Sequence, residues 1–141
     1  MITADQLVLH AIGDYILQSD RMAQNKTKSH LWAFIHALSY SLLFVMQVRS
    51  LAAWLVIFGS HFLIDRYRLA RYVVYLKNWP TYIDAFDPAD GKTRRVQLAW
   101  ADCSQTGYPH ERPAWLSTWL LIIADNILHV LINGLAIAYL R

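Results

Sequence analysis

Only one cysteine, Cys103, occurs in the 141 residues. It excludes an internal disulfide and, within one chain, a metal site built on thiolates. Charge is scarce too: 16% of residues are Asp, Glu, Lys or Arg against 56% hydrophobic, and the mean hydropathy is +0.24. Such a chain is neither a disordered tail nor a solvated linker. Thirteen Lys and Arg against ten acids leave a net charge of +3, too small a surplus to attract nucleic acid by bulk electrostatics. The N-terminal stretch MITADQLVLHAIGDYILQ has no basic leading segment and no small-residue cleavage site, and His10, Gly13 and Asp14 interrupt its apolar run. A cleaved signal peptide is therefore not expected. A Gly-rich phosphate loop, a serine-nucleophile elbow and an internal repeat are also missing.

What the chain has in quantity is apolar and aromatic surface. Six Trp, eight Tyr and five Phe exceed what a small soluble core needs and point to a membrane. Residues 31–48, LWAFIHALSYSLLFVMQV, carry no formal charge, and their number approaches the ~20 that a bilayer core requires. Residues 51–64 are again uncharged, and the helical pattern continues through DRYRLARYVVYLKNW. Residues 114–140 are apolar apart from Asp125, Asn126, His129 and Asn133, and they follow Pro113, a helix-start signal. The expected fold is all-α: a polytopic helical membrane protein, one domain over 1–141, with three to four membrane-embedded helices at about 4–18, 30–48, 51–78 and 114–140. The polar segment 79–113 contains Pro88, Pro109, Pro113 and the turn pair Asp90-Gly91. Its stretch RRVQLAW either pairs as a short strand or lies on the membrane surface. Lys26, Lys28, Arg66, Arg68, Arg71 and Lys77 share one side of this arrangement, with Arg49 and Arg141 elsewhere. The positive-inside rule makes that side, and loop 79–113, cytoplasmic.

The polar residues inside the apolar blocks are His and Asp, spaced by four. His10 with Asp14 and His61 with Asp65 read His-xxx-Asp, Asp125 with His129 reverses the order, and His36 stands alone. A step of four puts both side chains on one helix face, one turn apart, where both reach the same ion. At 1.5 Å per residue these positions lie well inside a bilayer ~30 Å thick. An ionisable group there costs at least ~2.5 kcal/mol unless partnered, so a cation is expected among the carboxylates. Imidazole and carboxylate suit a divalent transition metal: zinc first, with manganese or iron as alternatives. The expected ligands are His61, Asp65, Asp125 and His129, followed by His10, Asp14 and His36. Asn126 and Asn133 are expected to be interhelical contacts.

The motifs HAIGDYILQSDRMAQNK (residues 10–26), HFLIDR (61–66) and ADNILH (124–129), with His36 between them, resemble an uncharacterised family of small bacterial and phage integral membrane proteins, a domain of unknown function. More remotely the pattern is similar to small membrane-bound metal-dependent hydrolases. The first resemblance implies a place in a bacterial inner membrane. The second implies that His10, Asp14, His36, His61, Asp65, Asp125 and His129 ligate the metal or support its ligands. The expected activity is hydrolysis of a phosphate or acyl ester in a lipid or lipid-linked molecule, with Asp14 or Asp65 as general base and Arg66 neutralising charge on a phosphate. Two other expectations use the same residues. One is a His/Asp relay in a proton or divalent-metal channel, and the other is a nonenzymatic interaction protein with a structural metal. The bilayer is the expected partner, nucleic acid is not, and a homo-oligomer fits so small an enclosure.

Overall fold

The computed structural model describes residues 2–79, 82–87 and 89–140; Pro88 and Arg141 lie outside them. Helix α1, Ala4–Ala11, starts at a capping box in which the Thr3 side chain accepts from the Gln6 amide and Gln6 reaches back to the Thr3 amide. It widens into a π-helical turn over Ile12–Ile16, closed by Leu17 N donating to Ile12 O at 2.9 Å. Such turns are rare and recur at functional sites. Here it carries Asp14 into the interior. Ser19 caps α2, Asp20–Asn25, and α3 follows over His30–Leu42. Ser50 caps α4, Leu51–Tyr67, by accepting from Ala53 N. The fully buried Ala33, Ala37 and Ala53 leave little bulk between backbones where α3 packs on α4.

The chain divides into two compact units, Met1–Leu69 with Asp125–Arg141, and Ala70–Ala124. The first holds α1 to α4 and residues 125–139 of α7, Ala114–Tyr139. Its apolar cluster is Tyr40, Phe44, Ile57 and Ala136, with Leu9, Leu43, Val48 and Ile137 partly buried around it.

The second unit starts with α5, Ala70–Asn78. The antiparallel hairpin β1, Tyr82–Asp87, and β2, Lys92–Gln97, follows in the register Tyr82↔Gln97 to Asp87↔Lys92. Its turn uses Gly91 at φ +69, and Asp90 accepts from Lys92 N at 3.1 Å. After α6, Trp100–Cys103, Gly107 turns the chain at φ +80. A Cβ there would lie 2.4 Å from Arg71 O, so only glycine fits both the dihedral and the space. Arg71 donates to Ser104 O, Asn78 to Gly107 O and Tyr75 to Leu98 O, while Trp100 stacks on Tyr72. Cys103 is fully buried, and burial, with Asp102 and Glu111 nearby, pushes its thiol up to about 11.

The expected polytopic all-α membrane fold is overturned. The structure is mostly helical but contains a two-stranded sheet, and among the described residues only α7 is long and apolar enough to cross a membrane. The uncharged run 31–48 is not one helix: α3 stops at Leu42 after 13 residues, about 20 Å at 1.5 Å per residue. Residues 43–47 then form turns. The stretch 51–78 is broken at Arg68, whose left-handed φ of 53 ends α4 before α5 begins. Loop 79–113 carries the hairpin, with RRVQ in β2, and α6. Absence of charge reports composition, whereas the length of a helix depends on where the backbone turns.

Candidate metal centre

Four helical segments bring His and Asp side chains to one place in the first unit. On α3, His36 and Tyr40 are one turn apart, as are His61 and Asp65 on α4 and Asp125 and His129 on α7. The π turn after α1 supplies Asp14. Its neighbour Gly13 cannot carry a side chain, because a Cβ would stand 2.4 Å from a Tyr40 ring carbon. His36 and His61 are 0% exposed and His129 1%.

The donor atoms converge closely. His36 Nε2 and His61 Nε2 are 3.0 Å apart. Asp14 Oδ1 is 3.4 Å from each, and Asp65 Oδ2 is 3.1 Å from the first and 3.2 Å from the second. Metal–ligand bonds of about 2.0–2.2 Å at a tetrahedral angle set neighbouring donors about 3.3–3.6 Å apart. The spacings seen lie within a few tenths of an ångström of that. Asp65 turns its other oxygen to His129, with Oδ1 to Nε2 at 3.6 Å, and His129 Nε2 is 3.5 Å from Asp125 Oδ2. Two overlapping donor groups result, Asp14/His36/His61 and His61/Asp65/His129. Asp14 Oδ1 and His129 Nε2 are buried without a hydrogen-bond partner among the described residues, an arrangement that proteins rarely leave unexplained.

Electrostatics favour charged carboxylates beside a neutral imidazole. Burial raises the Asp65 carboxyl, but His61, His129 and His36 outweigh it and hold the group well below the usual carboxylate range. Asp14 is lowered as well, burial being outweighed by His36 and His61. Complete burial takes His61 down to about 4, so its ring is neutral at pH 7 and offers a lone pair. His36 is raised, because Asp14 and Asp65 outweigh its burial. Lys26 Nζ donates to Asp65 Oδ2 at 2.9 Å and stands 3.4 Å from His36 Nε2.

His36 and His61 have no partner for Nδ1 among the described residues. The outer hydrogen bond that usually orients a metal-bound imidazole is replaced for His61 by packing. Tyr40 stacks on its ring at 3.7 Å and 17°. Tyr40 is itself fixed by Asn133 Nδ2 donating to its hydroxyl at 2.6 Å, and that hydroxyl donates to His10 Nδ1 at 2.8 Å. His10 Nε2 then donates to Asn126 Oδ1 at 2.6 Å, and Asn126 Nδ2 donates to Tyr15.

Of the residues singled out from the sequence, Asp14, His36, His61, Asp65 and His129 come together, and Asp125 joins them through His129. His10 is 3.6 Å from Asp14, but both its nitrogens are engaged by Tyr40 and Asn126. It therefore positions the cluster and does not face an ion. Arg66 points elsewhere, with Nη1 donating to Thr27 O at 2.7 Å and the guanidinium over Tyr67. Sequence reasoning missed Lys26 as a cluster member, and Tyr40 and Asn133 as ring supports. Tyr40 carried a signal, its one-turn spacing from His36. Lys26 is brought in by the turn between α2 and α3, which no periodicity encodes. No curated protein and no solved structure matches the chain. Residues 2–87 match the family described as protein of unknown function (DUF3307), and the chain belongs to that family.

Proposed function

We propose that the cluster holds a divalent transition metal, zinc in the first instance with manganese or iron as alternatives, and that the protein is a metal-dependent hydrolase of a phosphate or acyl ester in a lipid or lipid-linked molecule. The observation that carries this reading is the set of donor spacings of 3.0–3.4 Å among His36, His61, Asp14 and Asp65. Bonds of ordinary length from one ion reach donors spaced in this way. A divalent ion there supplies two things to an ester: a water of lowered pKa and a polarised oxygen. Water adds across the ester bond, giving an alcohol and an acid. The chain's own residues orient the ester and take up the proton, and Asp14, whose Oδ2 lies outside the donor set and 3.6 Å from His10 Nδ1, is the proton acceptor in this scheme.

The site of action in this proposal is the bacterial inner membrane. Support comes from α7, 26 residues with a mean hydropathy of 2.0 in its most apolar window, and from large apolar side chains turned outward, Ile16 at 74% exposure and Leu31 at 63%. Apolar exteriors of this kind mark contact with lipid or a partner. One observation favours a different role. The His and Asp donors gathered here are numerous enough to fill an ion's shell, as in structural sites, whereas catalytic ions keep a position open. That abundance of donors suits a nonenzymatic protein with a structural metal.

The test is elemental analysis of detergent-purified protein, followed by assay of the metal-loaded form on phosphatidic acid in phosphatidylcholine vesicles. Bound transition metal with release of inorganic phosphate or fatty acid, both lost in the double variant His61→Ala/Asp65→Ala, is the expected result. Metal retained in that variant overturns the site. Metal bound with no product above the chelated control overturns the hydrolase.

A further inference from the structure

We infer that Asp65 bridges two cation positions, the second formed by Asp65 Oδ1, His129 Nε2 and Asp125 Oδ2, and that the ester taken is a phosphate. The inference rests on the metal reading above and deepens it. The two oxygens of Asp65 serve different neighbours: Oδ2 meets His36 and His61, and Oδ1 meets His129. A carboxylate whose oxygens face two donor groups is the geometry of a bridge, and paired metal sites set ions ~3.5–4 Å apart. His129 Nε2 is the independent sign of a missing ligand. It is buried on a residue 1% exposed, stands 3.6 and 3.5 Å from two carboxylate oxygens, and has no hydrogen-bond partner among the described residues. Those two spacings match the tetrahedral donor separation for bonds of about 2.2 Å.

The two positions differ in what they leave free. The first draws on Asp14, His36 and His61 together with Asp65 Oδ2. At the second, His129 Nε2 stands between Asp65 Oδ1 and Asp125 Oδ2, fewer donors than the four to six that these ions take, so the second accepts ligands from outside the protein. Asp125 lies on the accessible side, its side chain 29% exposed against 4% for Asp65. Charge then selects the ligand. Three carboxylates, Asp14, Asp65 and Asp125, against the Lys26 ammonium leave two negative charges, and two divalent ions turn these into two positive ones. A phosphate dianion neutralises that excess, and a neutral acyl ester does not.

Manganese is the probe, loaded into the full-length protein in detergent. About two ions per chain are expected, with an exchange-coupled electron paramagnetic resonance spectrum. Asp125→Asn should fold normally by circular dichroism, hold about one ion and show an isolated-ion spectrum. Wild-type protein with a single ion overturns the second position and leaves the first standing. Wild-type protein with none overturns the metal reading itself. Asp125→Asn that still holds a coupled pair overturns the assignment of Asp125. Inorganic phosphate should perturb the wild-type spectrum, and a spectrum unchanged by phosphate overturns the substrate class.

Discussion

In the first unit a group of side chains able to carry charge is inside, with His36 and His61 fully buried and Asp65 5% exposed, while Ile16 and Leu31 face out. The second unit is arranged the other way. Its strand β2, KTRRVQ, is exposed along its whole length, and Ala70, Val74, Leu98 and Cys103 are inside. Taking carboxylates and imidazoles away from water costs several kcal/mol per ion unless each finds a partner. A small unit that does so repeatedly at one point is built around that point. The second unit follows ordinary globular practice and shows no such convergence among the described residues.

The contrast can be broken most forcefully at Asp65. Asp65→Ala should remove bound metal and destabilise the protein by about 3–5 kcal/mol in urea unfolding, since it leaves Lys26 and three imidazoles without their carboxylate. Full metal content in that variant would show that the buried centre is not a ligand set. Chelation comes next. An ion present at a hundred times its dissociation constant contributes about 2.7 kcal/mol, so a chelator should lower the melting temperature of the wild type and leave Asp65→Ala unmoved. An equal fall in both would mean that the chelator acts elsewhere.

Two glycines sharpen the comparison at smaller cost. Gly13→Ala drives a methyl group onto Tyr40, and Gly107→Ala onto Arg71 O at a positive φ. Each should cost about 1–3 kcal/mol. Only Gly13→Ala should lower metal content, because Tyr40 stacks on His61, and elemental analysis of the pair tells the units apart. The smallest effect belongs to Asp90→Ala. It removes a half-exposed pair with Arg94 and the hydrogen bond from Lys92 N in the hairpin turn and should change stability by about 1 kcal/mol or less, with metal content unaltered. A larger loss would show that the hairpin turn matters beyond those two exposed contacts.

Much of the centre was legible in the sequence because its units are local. His61/Asp65 and Asp125/His129 share helix faces whatever the helices pack against, since the backbone repeats every 3.6 residues. Helix boundaries were less legible. The eye reads residues 31–48 as one uncharged span, yet α3 ends at Leu42 and Leu43–Gln47 turn. Arg68 is equally ordinary in sequence, and its left-handed conformation alone divides α4 from α5. The π turn at Ile12–Ile16 was hidden as well. It moves Asp14 relative to His10 by one extra residue in the hydrogen-bonded ring, which places Asp14 against His36 and His61.

By itself the sequence determined the scarcity of charge, the exclusion of thiolate chemistry and the pairing of His with Asp one helical turn apart. These follow from composition and from backbone geometry, which are present before any tertiary contact forms. Only the tertiary structure decided which donors meet. It placed Lys26 on Asp65, gave both nitrogens of His10 to Tyr40 and Asn126, and sent Arg66 to the Thr27 carbonyl. It also split the two oxygens of Asp65 between different histidines. Those outcomes depend on how segments far apart in the chain pack. A side chain's partner across such packing is set by the direction of its Cα–Cβ bond and the room left by its neighbours, and neither is encoded in spacing along one helix.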